Sequence, residues 1–390
     1  MKKMFTVLTV LVLVLSLGLL GCGQTAPNNN QGSNQQPSEP KLKVGVVFDI
    51  GGRGDKSFND SAYRGMVKAA KELGGYIKDD PDNVNYGTNI ELKYLEPKQG
   101  GSDREQLLRK LAENGYDLVI GVGFAFTDAI KNVANDFPNV HFAIIDSCYA
   151  PDDHPANVTC LLFKENEGSF LVGAIAGLKT QTNKIGFIGG MDIPLIRKFM
   201  VGYEAGAMYV NPELRKDGAI LTAFVSDDPA QAWNNPPKGK EIAISQYDQG
   251  ADIIYHAAGG TGMGLFEAAL EKDKWAIGVD SDQGKILAES QQEKDREMAK
   301  HIITSMLKRV DTAVFTIIKE MYDKGKVDAK VMAFGLKEDG VGYAYNEYNK
   351  ALLDPIKPQI DELKQKIING EISVPATDDE LQQFKASLGQ

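Results

Sequence analysis

Histidine is scarce in this sequence: four occur, at positions 141, 154, 256 and 301, and none stands in an H-E-x-x-H pair or at another ligand spacing. Nor is there a G-x-S-x-G elbow to present a serine nucleophile. These absences remove the usual zinc and serine hydrolases, and the chain is expected not to be an enzyme and to need no cofactor or metal. His256, near the end of an apolar run, is the one histidine worth following, with framework hydrogen bonding as its plain reading. Cysteine is nearly absent too, with three in 390 residues. Cys148 and Cys160 can pair in an oxidising compartment or stay as buried thiols, and spacing leaves both open. A run of about 20 apolar residues, long enough to span a bilayer, is missing. So is an excess of positive charge: 43 Lys and Arg stand against 53 Asp and Glu, net −10, which argues against nucleic acid as a partner.

What is present begins with an export signal. Lys2 and Lys3 precede the apolar run Val10 to Leu15, and Leu19-Leu20-Gly21-Cys22 closes it with small residues before a cysteine. This tetrapeptide resembles the lipobox of bacterial lipoproteins, which implies a signal peptide over 1–21 and lipidation at Cys22. The bulk of the chain is then membrane-anchored on the extracytoplasmic face. Residues 22–41 hold GQTAPNNNQGSNQQPSEP, rich in Asn, Gln, Ser and Pro, and read as a disordered tether.

From Leu42 onward, β-rich runs alternate with amphipathic helical stretches: LKVGVVFD, SFNDSAYRGMVKAAKEL, IELKYLE, DREQLLRKLAENG, LVIGVG, FTDAIKNVANDF and HFAIID. The rhythm pauses at PDDHPAN and resumes from VTCLLF. Two successive doubly wound α/β units fit the length, each a parallel sheet wrapped by helices. The expected lobes are 42–157 plus 281–322 and 158–280 plus 323–390. The apolar strands end in polar or glycine-rich corners at Asp49, Gly121 to Asp128, Asp146, Gly189 to Asp192, Gly259 to Gly264 and Asp280. Ligands of open parallel sheets bind beyond such strand ends, so these corners are expected to border one interlobe cleft.

GGTGMG at 259–264 follows a strand and opens a helix, with Asp280 at the end of the next strand, so a dinucleotide reading is available. Its glycines fall as G-x-G-x-G, one residue short of the fingerprint, and no second cofactor motif supports it. FDIGGRGDKSFNDSAYRGM at 48–66 reads better as a binding corner. Its glycines let backbone approach a ligand, and Ser57 or Asp55 can cap the helix that follows. Phe58 at that helix start can stack on a flat ring while Asp49 and Asn59 read the ring's polar edge; the plainer reading is a hydrophobic staple. Phe199 occupies the matching corner of the second unit, where core packing is the plainer reading. Asp128, Asp280 and Lys308 can serve sugar hydroxyls, although each alone suits a helix cap or ion pair.

These stretches, together with FKENEGSFLVGAIAGL, IGFIGGMDIPLIRKFMVGYEAGA, GADIIYHAAGGTGMG, IGVDSDQG, SMLKRVDTAVF and FGLKEDGVGYA, carry a resemblance from about Leu42 to Tyr345. The chain resembles the basic membrane protein lipoproteins, the PnrA-like nucleoside-binding components of ABC transporters. The resemblance implies the type I periplasmic-binding-protein fold, with two doubly wound parallel-sheet lobes joined by a hinge. It implies that Phe58 and Phe199 stack on the base, that Asp49 and Asn59 bond its edge, and that Asp128, Gly259, Asp280 and Lys308 hold the ribose. The Asp128 assignment rests on the short match GFAFTDA. The implied partners are a nucleoside, purine as the first expectation, an ABC permease with its ATPase, and the membrane through the lipid anchor, with the protein itself a monomer. A sugar or autoinducer receptor of the same fold, or a nucleoside receptor for signalling, stays open. SDDPAQAWNNPPKGKE departs from the family's usual shorter connection and brings Trp233 close to the second lobe's strand ends.

Overall fold

The computed structural model describes residues 39–98 and 100–389; the export signal, Cys22 and nearly all of the tether expected over 22–41 lie outside the described residues. Six strands are laid down first: β1 (Leu42–Val47), β2 (Tyr76–Ile77), β3 (Ile90–Leu95), β4 (Leu118–Gly121), β5 (His141–Ile145) and β6 (Val158–Phe163). Five follow: β7 (Ile185–Gly189), β8 (Ile220–Phe224), β9 (Ile253–Ala257), β10 (Trp275–Asp280) and β11 (Ile302–Lys308). Two short strands, β12 (Val331–Phe334) and β13 (Val341–Tyr343), complete the set. They form two sheets, ordered β12-β6-β5-β4-β1-β3-β2 and β13-β11-β10-β9-β7-β8. Within the ladders only β13 runs antiparallel, against β11. Every residue of β4, β5, β7 and β9 is buried, as expected of parallel strands covered by helices on both faces.

This is the expected pair of doubly wound lobes, but the chain divides between them differently. β6 pairs with β5 in the first sheet and β11 with β10 in the second, so 158–163 belongs to the first lobe and 302–308 to the second. The helix Val310–Lys324 then packs on the first lobe, and β12 joins β6. The chain therefore crosses between lobes just after β6, just after β11, and between β12 and β13. The pause at PDDHPAN marks a turn before the last strand of the first sheet, not a change of lobe. Hydrophobic rhythm is blind to that distinction, because a strand reads alike in either sheet.

Cys148 and Cys160 are joined in a disulfide that ties the loop after β5 to β6. Among the described residues no helix is long and apolar enough to cross a membrane.

Helices α1 (Phe58–Leu73), α2 (Arg104–Glu113), α3 (Thr127–Asp136), α4 (Glu165–Lys179) and α5 (Pro194–Val210) carry or brace the cleft. α1 starts where the Asp55 carboxylate accepts the N–H groups of Ser57, Asn59 and Asp60 at 2.9, 2.8 and 3.1 Å, satisfying donors a helix start leaves free. It stops at Gly74, whose φ of 72° lies in the left-handed region. α4 and α5 cross with their backbones in contact: a Cβ on Gly206 would meet the Phe170 carbonyl oxygen at 1.9 Å. That close seat fixes α5, and with it Phe199, over the cleft.

Candidate functional site

The strand ends of both sheets face one cavity that opens to solvent. The first lobe contributes Asp49 beyond β1, Phe58 and Asn59 at the start of α1, Phe124 beyond β4 and Asp146 beyond β5. The second contributes Phe199 from α5, Gly259 beyond β9, Asp280 and Lys308 at the ends of β10 and β11, and Trp233 from the segment between β8 and β9. Seven of the eight residues singled out from the sequence thus line one cavity.

Asp128 is the exception: it sits exposed in the first turn of α3, outside this lining. Besides Asp49 and Asp55, the first lobe lines the cavity with the Asp146 carboxylate, one strand further along, at the polar corner that ends HFAIID. Both Asp146 and Asp280 hold left-handed backbone, with φ of 68° and 63°. Aspartate tolerates that conformation better than most residues, and such strain concentrates at ligand sites.

Lys308 is 1% exposed and bridges the lobes. Its ammonium lies 2.7 Å from the Asp146 carboxylate and 3.1 Å from Glu165 Oε1 at the start of α4. The ring centroids of Phe58, Phe163 and Phe199 stand 5.2, 5.1 and 5.4 Å from it. Burial alone would lower this lysine's proton affinity, but Asp146, Glu165 and Asp280 outweigh burial and hold the ammonium charged. Burial pushes Asp280 up to about 7, against the opposing pull of Lys308 and the Ser57 hydrogen bond. Asp146 rises to about 6 for the same first reason, with Lys308 opposing and Glu165 adding to the rise.

Ser57 does not cap α1. Its hydroxyl donates across the cleft to Asp280 Oδ2 at 2.6 Å, while Ser281 Oγ donates back to the Ser57 carbonyl at 2.7 Å. Arg64 donates to Ser281 Oγ at 2.6 Å, and Lys56 pairs with Asp295 at 3.1 Å. These contacts hold the lobes in a closed arrangement. Sequence reading missed Arg104 as well: from α2 its guanidinium pairs with Asp49. Asn59 bridges inward, its Oδ1 accepting the Asp49 N–H at 3.0 Å and its Nδ2 donating to Asp55 at 3.1 Å.

The dinucleotide reading of GGTGMG loses its purpose here. A Cβ on Gly262 would meet the His256 ring at 1.9 Å and one on Gly264 the Pro236 carbonyl at 1.9 Å, so these two glycines serve packing. His256 is fully buried beside Gln283 at 3.0 Å, and burial lowers its pKa to about 4, in keeping with a framework role.

The sequence profile of the family described as "ABC transporter substrate-binding protein PnrA-like" matches residues 42–378. A CD4+ T-cell-stimulating antigen of Listeria innocua is 35% identical over 386 residues, covering 96% of this chain and 99% of the relative. The ABC transporter nucleoside-binding protein BmpA of Lactococcus lactis is 32% identical over 387 residues, covering 96% of this chain and 100% of the relative. Among solved structures, an ABC transporter solute-binding protein of Aeropyrum pernix superposes with a TM-score of 0.70 at 30% identity, covering 89% of this chain and 97% of that one.

Proposed function

This chain belongs to the PnrA-like family of ABC transporter substrate-binding proteins, with the type I periplasmic-binding fold, and from that premise we propose that it captures a nucleoside between its lobes and delivers it to a membrane permease. The observation that carries the reading is the division of the cavity by polarity. The Phe58 and Phe199 rings offer apolar faces to a flat base, while Asp146, Asp280 and Lys308 gather at one end as acceptors and donor for adjacent hydroxyls. That end suits an uncharged sugar. Its buried ammonium, Lys308, is already outnumbered by Asp146, Glu165 and Asp280, so a phosphate would meet carboxylates in a desolvated site. Asp49, held by Arg104 and supported by Asn59, stands where it can read the base edge. The Lactococcus relative's description as nucleoside-binding supports the same ligand class. There is no chemical step, and the protein works as a monomer tethered through lipidated Cys22 on the extracytoplasmic face. A Cys22→Ala variant should leave the membrane fraction for the soluble one; retention in the membrane would count against the anchor.

Calorimetric titration of residues 39–390, freed of copurified ligand by unfolding and refolding, tests the ligand. Adenosine, guanosine, inosine, cytidine or uridine should bind tightly, while ribose and nucleoside monophosphates should not. Phe58→Ala should weaken nucleoside binding by about 1 kcal/mol or more through lost stacking. Silence towards every nucleoside, or unchanged affinity in that variant, would sink the ring sandwich.

A further inference from the structure

The order of strands gives the cavity a direction. In the second sheet β11, β10, β9 and β7 are successive neighbours, and their ends carry Lys308, Asp280, Gly259 and Gly190. At about 4.8 Å per strand that row spans roughly 14 Å. The first sheet runs in the same sense, with Asp146 beyond β5 and Phe124 beyond β4. Across the cleft, Lys308 meets Asp146 at one end, and Trp233 meets Phe124 edge-on further along, with ring centroids 6.4 Å apart and planes at 68°. Phe58 and Phe199 line the same cavity, each ring just over 5 Å from the Lys308 ammonium.

The Trp233 wall is firmly seated. Its ring lies over the end of β7, where a Cβ on Gly190 would come within 2.2 Å of it. Thr261 brackets it: the hydroxyl donates to the Ala232 carbonyl at 2.8 Å and accepts the Asn235 N–H at 2.8 Å, while the Thr261 N–H reaches the Trp233 carbonyl at 3.3 Å. Such a wall blocks a ligand and does not yield to it.

We propose that Trp233, closed against Phe124 of the opposite lobe, is a specificity-determining end wall that gauges the length of the base and so separates two-ring purine nucleosides from one-ring pyrimidine nucleosides. The inference rests on the nucleoside reading above. With the ribose held at Asp146, Asp280 and Lys308, the base threads between Phe58 and Phe199 towards Trp233. A purine reaches the wall and is covered by it; a pyrimidine stops one ring short and leaves a gap there. Contact with both aromatic side chains then favours the purine, and it forms only when the lobes are together.

The test compares adenosine, guanosine and inosine with uridine and cytidine on the parent protein and on Trp233→Ala and Phe124→Ala. Each variant should weaken purine nucleosides by about tenfold or more while shifting pyrimidine nucleosides less than about twofold, the loss expected for contacts made by one ligand class alone. Phe124→Ala, on the other lobe, carries the test if Trp233→Ala fails to fold, and Trp233→Phe should keep most of the preference. The chain has two tryptophans, so in Trp275→Phe the emission belongs to Trp233 alone, and purines should shift it more than pyrimidines do. Equal weakening of both classes, or no change in either, overturns the end wall while leaving the nucleoside reading intact. A parent protein that binds no nucleoside takes down the reading and the wall together.

Discussion

A Lys308→Met protein is expected to unfold at clearly lower denaturant concentration, having lost about 3–5 kcal/mol of stability. Methionine matches the length of the lysine stem and keeps its packing on Phe58, Phe163 and Phe199, so the change removes mainly charge. What it leaves behind is costly. Asp146 and Glu165 face the vacant ammonium position from 2.7 and 3.1 Å, both nearly inaccessible to water, with Asp280 close by. Buried carboxylates without a counter-charge must either keep an uncompensated charge or bind protons. Either way the folded state loses. Urea titration followed by circular dichroism gives the loss from the midpoint, provided the slope is unchanged. Adding Asp146→Asn should recover part of it, because one uncompensated charge is gone. A single variant within about 1 kcal/mol of the parent, or a double variant no better than the single, would show that Lys308 is not the counter-charge that holds this cluster.

The lysine shows where sequence reading stops. Phe58, Phe199, Asp49 and Asp280 were legible because each sits in a local pattern, an apolar run ending in a turn with a helix start close behind, and strand ends of parallel sheets converge on one face. The partners that give those residues their properties come from far along the chain. Arg104 reaches Asp49 across 55 positions and Ser57 reaches Asp280 across 223, and no periodicity links them. Asp128 and Asp146 illustrate the same limit. Both follow apolar strands, and only the placement of α3 exposes the first while the left-handed turn after β5 brings the second to the cavity. The lobe boundaries failed for a related reason, since β6 and β11 are each decided by the neighbour they pair with. Trp233 was legible as an oddity of its connection, but its meeting with Phe124 exists only in the folded, closed molecule.

Closure of the ligand-free protein should depend on pH, with the closed arrangement favoured by acid. Asp280 is buried beside Lys308 of its own lobe, with Asp146 and Asp55 facing it, and its hydroxyl partner Ser57 comes from the other lobe. Asp146 is enclosed with Lys308 and Glu165, and Lys198 from α5 lies 3.8 Å from Glu165. In an open cleft these carboxylates meet water and titrate near their ordinary value of about 4. In the closed arrangement they stand at about 6 and about 7, so this form is expected to bind more protons than one whose cleft is open to water. The sign follows: the stabilisation is complete below about pH 4 and is lost as pH rises from there through the closed values of about 6 and about 7. Each tenfold change in proton affinity is worth about 1.4 kcal/mol, enough to move a lobe equilibrium visibly. Small-angle X-ray scattering of the ligand-free protein should therefore give a smaller radius of gyration at about pH 5 than at about pH 8. Asp280→Asn, neutral at both, should flatten that difference. A saturating nucleoside should also hold the compact value at both pH values, because its hydroxyls donate to the carboxylates and take the place of the protons. A ligand-free radius that stays constant over that range, or that grows on acidification, overturns the assignment of Asp146 and Asp280 as the proton-sensitive contacts of closure.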